Sequence, residues 1–171
     1  MNTGPQGGKW KAAVVSVSDR GSRGEREDAS GRLLAERLRE AGFDVAFYVI
    51  VPDEASEISA ALRKYADEEK VALIATTGGT GVAPRDVTPE ATLAVVERLV
   101  PGMAEAMRAA SLQKTPHAMI SRAVVGTRGT TLVVNLPGSP KGALENLNAI
   151  MPALPHALEK IAGDPSECAV P

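Results

Sequence analysis

The chain reads as one α/β domain of three layers, a mostly parallel sheet between helices, with a C-terminal antiparallel hairpin strand. Three observations predict this. Short apolar runs rich in Val alternate with stretches of helical periodicity, as in parallel sheets with crossover helices. The run Val71-Ala72-Leu73-Ile74-Ala75 passes through a glycine-rich segment into Ala91-Thr92-Leu93-Ala94-Val95-Val96, giving strand, loop and helix in that order. Near the end, Arg128-Gly129-Thr130 separates two apolar runs and reads as a hairpin turn. At 171 residues the length suits a single domain and can bury a sizeable core.

The elements follow in order. Residues 1–10 read as a flexible leader. Lys11 to Val17 is the first strand, and the polar run Asp19 to Arg26 is a loop by composition. Leu33, Leu34 and Leu38 form the apolar stripe of the first helix, with Ser30 as its expected N-cap and Gly42 just past its end. Val45 to Val51 is the second strand. Ile58, Leu62 and Tyr65 fall at i, i+4 and i+7 and predict an amphipathic helix. After the third strand and the glycine loop, a helix is expected from Pro89 to about Leu99, with Thr88 as its cap, and Pro101-Gly102 should break it. Met103 to Gln113 is a further helix with Met103, Met107 and Ala110 on one face. Ala123 to Thr127 and Thr131 to Leu136 form the hairpin. The closing helical region carries Leu144, Leu147, Ile150 and Leu154, and Pro152 and Pro155 force a kink or restart. The folded domain spans residues 11–162, and 163–171 read as a flexible tail.

Composition excludes several classes of function. Net charge is −2, so no basic field recruits nucleic acid or an anionic membrane. Aromatic residues are only 3%, which leaves few platforms on which single-stranded bases could stack. Cys168 is the only cysteine, so no internal disulfide and no thiolate metal cluster can form. No long apolar run and no signal peptide is present, and the expected location is the cytoplasm.

Chemistry concentrates in Thr76 to Glu90, which holds three glycines, four threonines, Arg85 and Asp86. Glycines allow positive φ and let backbone N–H groups approach an anion without a Cβ in the way. Gly78, Gly79, Thr80, Gly81, Arg85 and Thr88 are therefore candidate phosphate ligands. The segment is not a P-loop, because Val82-Ala83 follows Gly81 where Lys and Ser or Thr are needed. Nor is it a dinucleotide fingerprint, because Pro84 takes the third glycine's place. Pro137, Gly138 and Ser139 leave the last strand and open a helix at Pro140, forming a second candidate anion site.

These segments, taken with Val15 to Asp19, Glu27 to Gly31 and Ile50 to Glu54, resemble the molybdopterin adenylyltransferase family of molybdenum-cofactor biosynthesis, which includes the G domain of gephyrin. The resemblance covers roughly residues 11 to 162. It implies transfer of AMP from ATP to the terminal phosphate of molybdopterin, with release of pyrophosphate. It also implies Asp53 and Asp86 as the catalytic and metal-holding acids, since Mg²⁺ takes one or two carboxylates and completes its shell with water and phosphate. Ser18, Asp19, Asp28 and Ser30 are implied on the pterin side. A homotrimer is implied, with the Met103 to Gln113 helix a candidate interface, and the molybdenum-insertion protein is an implied partner. No tightly bound redox cofactor, nucleic acid or membrane is expected. Two other readings stand beside this one: a pterin-binding scaffold with little or no turnover, and an enzyme carrying another nucleotide to another anionic metabolite.

Overall fold

The computed structural model describes residues 8–165. Most of the expected leader and tail, and Cys168 with them, lie outside those residues. Trp10, placed in the leader by the sequence, is only 5% exposed and packs into the core, and its carbonyl accepts from Asp44 N at 2.9 Å.

Six strands form one sheet: β1 (Lys11–Val17), β2 (Asp44–Val51), β3 (Leu73–Thr77), β4 (Arg98–Leu99), β5 (Val125–Arg128) and β6 (Thr131–Leu136). Their spatial order is β2-β1-β3-β6-β5-β4. The first four are parallel, β5 runs antiparallel to β6, and β4 antiparallel to β5. The central strands β1, β3 and β6 are buried nearly throughout, whereas the edge strand β2 alternates between exposed and half-buried positions. Strands covered on both faces can be apolar at every position, which is why they carry no alternation in the sequence.

Among the described residues seven α-helices accompany the sheet: α1 (Asp19–Ser22), α2 (Ala29–Glu40), α3 (Ala55–Arg63), α4 (Thr88–Leu93), α5 (Pro101–Leu112), α6 (Pro140–Ile150) and α7 (Leu154–Ile161). Successive strand residues feed opposite cores, as a period of two requires. Val14, Leu73 and Leu132 join α2, α5, α6 and α7 on one face. Val15, Ile74 and Val133 join α3 and α4 on the other, with Tyr65 in the single π turn Lys64–Glu68 that extends α3. Truncating a fully buried core residue such as Ile74 to Ala costs about 2–5 kcal/mol through lost burial and the cavity left behind.

Three local expectations are corrected. The helix after the glycine loop ends at Leu93 rather than near Leu99. The chain then turns outward so that Arg98–Leu99 pairs with β5, held by Glu97 N to Thr127 O and Val100 N to Val125 O, both 2.8 Å. Gly126 permits that approach, since a Cβ there would lie 2.8 Å from Arg98 O and 2.9 Å from the Val96 side chain. Pro101 starts α5 at its first turn, where no amide is needed, rather than breaking a helix. The run after β1 includes the one-turn helix α1, capped by Ser18 Oγ accepting from Gly21 N at 3.0 Å. The apolar stripe of α5 packs inward, with Ala104 and Met107 buried and Met103 against the same core.

Candidate active site

Register brings the loops together. Ser16 pairs with Thr77 across β1 and β3, and Thr77 pairs with Leu136 across β3 and β6. The three strands thus end level, and the loops that follow them emerge side by side at the carboxyl edge, where open α/β sheets bind ligands. Gly78 N donates to Leu136 O at 3.2 Å and Thr77 Oγ1 to Pro137 O at 2.7 Å, lashing the glycine loop to the Pro137-Gly138-Ser139 loop. Gly78 has φ of 101°, and a Cβ there would strike the carbonyl oxygen of Val17. A Cβ at Gly138 would lie 3.2 Å from Gly78 Cα. Only glycines allow the two loops to form one ridge.

Two cavities flank that ridge. One, of about 400 Å³, lies toward β1 and α2 and includes Ser18, Asp28, Ser30 and Asp53 in its walls. The other, of about 380 Å³, lies toward α5 and α6 and includes Thr80, Gly81, Asp86, Arg108, Ser111 and Asn146. Gly79, Gly138 and Ser139 line both. The glycine loop therefore forms part of the wall of both cavities. Among the described residues no acceptor takes the amides of Gly79, Thr80, Gly81, Gly138 or Ser139. Unpaired amides grouped on glycine turns and at the start of α6 are the donor arrangement that suits an anion.

The sequence-derived candidates divide by what their atoms already do. Asp53 caps no helix: Glu54 is the N-cap of α3 and makes no side-chain cap bond. Instead Asp19 N donates to Asp53 Oδ2 at 2.7 Å, and Asp53 N donates to Asp19 Oδ1 at 3.0 Å. Partial burial pushes the Asp53 carboxyl above its ordinary range, and the negative charges of Asp19 and Asp86 add to that. Asp19 sits below the ordinary range, first through the Arg85 guanidinium and then through the Asp53 amide. Arg85 lines neither cavity. It grips Asp19 with Nε at 3.0 Å and Nη2 at 2.8 Å, and reaches Glu54 Oε1 with Nη1 at 2.9 Å. Asp86 has no ion pair with Arg85. Its Oδ2 accepts from Ala83 N at 2.8 Å, which fixes the loop tip, and a Cβ on Gly81 would lie 2.8 Å from the same oxygen.

Three more candidates hold the walls. Asp28, not Ser30, caps α2 by accepting from Gly31 N at 2.9 Å, and it also accepts from the Tyr48 hydroxyl. Ser30 Oγ reaches across to Gly138 O at 2.6 Å, joining α2 to the ridge. Thr88 is fully buried and its hydroxyl donates to Gly78 O at 2.9 Å, while Val87 is the cap of α4.

The sequence reading missed Arg108, Ser111, Asn146 and Arg122, whose relation to the glycine loop depends on the path of α5, α6 and β5 rather than on any local pattern. The fit to a divalent metal rests on charge. Asp53 lines one cavity and Asp86 the other, and partial burial, with the charges of Asp19 and Asp86 adding to it, disfavours the Asp53 carboxylate, which a cation would relieve. Among the described residues no three His, Cys, Asp or Glu side chains gather to cage a metal. Mg²⁺ suits such a site because it completes its shell with water and phosphate oxygens.

A mostly parallel sheet covered on both faces, with two cavities meeting at a ridge of unpaired amides on its carboxyl edge, defines the class of α/β protein. Residues 13–156 match the family model described as "Probable molybdopterin binding domain", and the chain belongs to that family. It is 44% identical to the molybdopterin adenylyltransferase of Helicobacter pylori over 153 residues, which cover 88% of this chain and 87% of that one. It superposes on the molybdopterin biosynthesis enzyme MoaB of Thermus thermophilus with a TM-score of 0.86 at 52% identity, covering 92% and 99% of the two chains. With the molybdopterin biosynthesis Mog protein of Mycobacterium ulcerans the TM-score is 0.85 at 40% identity, covering 91% and 99%. Among the described residues no helix is long and apolar enough to cross a membrane.

Proposed function

We propose that the protein transfers the adenylyl group of ATP to the terminal phosphate of molybdopterin. The observation that carries this reading is the pair of cavities that share Gly79, Gly138 and Ser139, with Asp53 on one side of the ridge and Asp86 on the other. One cavity takes the nucleoside and the other the pterin, so that their phosphates meet over the unpaired amides. A phosphate oxygen of the pterin attacks the α-phosphorus, the new O–P bond forms, and the bond from the α-phosphorus to the β-bridging oxygen breaks to release pyrophosphate. The amides of Gly79, Thr80 and Gly81, which have no protein acceptor among the described residues, would hold phosphate oxygens, and Asp19 holds the backbone beside Asp53. Asp53 and Asp86 would hold Mg²⁺, which supplies charge neutralisation for the triphosphate and the departing pyrophosphate. The curated relatives named molybdopterin adenylyltransferase support the reaction class.

Incubation with molybdopterin, Mg²⁺ and labelled ATP should yield labelled adenylylated pterin and pyrophosphate. Tight pterin binding with no labelled product would replace the enzyme by a scaffold, and turnover that ignores the pterin would replace the acceptor. Within the same reading the protein works in the cytoplasm as a homotrimer and passes its product to the molybdenum-insertion protein. Sedimentation equilibrium showing a monomer would remove the trimer and leave the site intact.

A further inference from the structure

Arg122 has no part in the motifs that mark the site. It leaves the short 3₁₀ helix Pro116–Ile120 just before β5, yet it makes four bonds to the glycine loop and the helix that follows it. Its amide donates to Thr80 O at 2.9 Å and its Nε to Gly81 O at 2.6 Å. Its Nη2 donates to the carbonyl of Asp86 itself, and its Nη1 pairs with the Glu90 carboxylate. The guanidinium thus spans the two ends of the loop tip, Gly81 and Asp86, and braces both against the first turn of α4. The neighbouring residues Ala118, Ile120 and Ser121 line the cavity on the Asp86 side, so Arg122 also ties that cavity's outer wall to its glycine wall.

We propose that Arg122 is a positioning residue for adenylyl transfer, holding the Thr80–Asp86 tip in the one shape that presents the Asp86 carboxylate beside the ridge. The proposal rests on the adenylyltransferase reading given above. Its physical basis is that the bond between Ala83 N and Asp86 Oδ2 fixes the carboxylate only relative to its own tip. The Arg85 side chain ties the middle of the tip to Asp19 and Glu54, and the bonds from Arg122 tie both of its ends, at Thr80–Gly81 and at Asp86, to the segment that enters β5. The fork suits the task, since a planar guanidinium has five donors in fixed directions and meets separated oxygens at once, which a lysine ammonium on a flexible stem does not. Glu90 keeps the fork oriented from its far side, and its carboxyl is held below the ordinary range by Arg122.

The test compares Arg122→Ala, Arg122→Lys and Glu90→Gln with the parent by steady-state kinetics and by amide hydrogen exchange across residues 79–86. Arg122→Ala should lower kcat by about 10²-fold, the cost of an ångström-scale misplacement. Both KM values should move far less, because an interaction felt in the transition state is lost rather than one of uniform binding. Exchange across the loop should quicken. Added guanidinium chloride, kept far below the concentration that unfolds the parent, should fill the vacated space and recover most of the lost kcat. Arg122→Lys should fall between, without rescue, and Glu90→Gln should show the smallest loss. A parental kcat in Arg122→Ala, or a loss that guanidinium does not reverse while loop exchange stays parental, overturns the proposal. Should Arg122→Ala fail to fold, parental kcat and exchange in both Arg122→Lys and Glu90→Gln overturn it instead. If the parent itself makes no adenylylated pterin, the functional reading fails separately, and unchanged loop exchange in the variants still removes the clamp.

Discussion

Asp53 and Asp86 approach the same ridge from opposite sides, and the protein holds them by different means. Asp53 is half-buried and anchored by reciprocal backbone bonds with Asp19, whose carboxylate is in turn gripped by Arg85. Its environment opposes its charge. Asp86 stands at a loop tip, fastened through Ala83 N, and the tip is braced by Arg122. One acid is placed by a network that leaves it electrostatically strained, the other by a clamp on its backbone. The difference teaches that charge at the ridge is costly on the Asp53 side and is held through the backbone of its loop on the Asp86 side. Stability and activity should therefore respond in opposite directions at the first position and only in activity at the second.

The largest expected effect comes from removing the charges. Asp53→Asn and Asp86→Asn keep size and an accepting oxygen, so each local bond can persist. A bound metal supplies several kcal/mol of charge stabilisation, at about 1.4 kcal/mol per factor of ten, so kcat should fall by about 10²-fold or more in each. Nearly parental turnover in both variants, at saturating ATP and Mg²⁺, would end the metal–carboxylate account of either arm.

Next comes the glycine between them. Gly81→Val puts a branched side chain where the Asp86 carboxylate lies, and Gly79→Val demands a side chain at φ of 63° against the Thr88 hydroxyl. Losing one or two charge-assisted bonds to phosphate, each worth roughly 1.5–3 kcal/mol, should weaken ATP binding at least tenfold, as titration calorimetry would register. A folded Gly81→Val variant with parental ATP affinity would show that the loop does not cradle phosphate.

Smaller again is Arg85→Ala, which frees Asp19 and Glu54 and should cost activity severalfold by loosening Asp53. Its pH dependence sharpens the comparison. The Asp19 carboxyl is held low in the folded state, so it contributes stability above its unfolded value, about 3.9, and loses that contribution as pH falls through the folded value. The gap in Tm between parent and Arg85→Ala should be widest near neutrality and close in acid. A gap that does not change with pH would mean that the pair acts through packing alone.

The smallest effect has the opposite sign. The Asp53 carboxyl is raised, so its contribution to stability is full below about 3.9 and is lost as pH rises through the folded value. Asp53→Asn should therefore melt at or above the parental Tm at neutral pH, with the difference vanishing in acid. A clear drop in Tm at neutral pH would mean that the charged carboxylate is a structural element after all.

Much of this was legible in the chain. The alternation of apolar runs and helical stripes gave the parallel sheet, because a strand covered on both faces must be apolar throughout and a crossover helix must be amphipathic. Arg128-Gly129-Thr130 gave the hairpin, since Gly129 takes a φ of 51° that other residues resist. The glycine loop and Leu136-Pro137-Gly138-Ser139 marked the anion surface because tight turns and close approach restrict residue type locally. The helix from Pro89 was extended too far for an equally physical reason. Val95 and Val96 suit either state, and only pairing with β5 drew the following residues into a strand.

Tertiary structure alone decided how each functional group is used. Asp28 rather than Ser30 became the cap of α2 because Ser30 reaches Gly138, distant in sequence, across the ridge. Arg85 is bound by two carboxylates, Asp19 and Glu54, that the fold brings to it from the ends of β1 and β2. Arg122 became the brace of the loop through partners at Gly81, Asp86 and Glu90, none within thirty residues of it. Backbone preference and burial pattern are short-range properties, and a sequence records them directly. Which donor meets which acceptor across a folded edge depends on strand register and helix placement, and no local spacing encodes that.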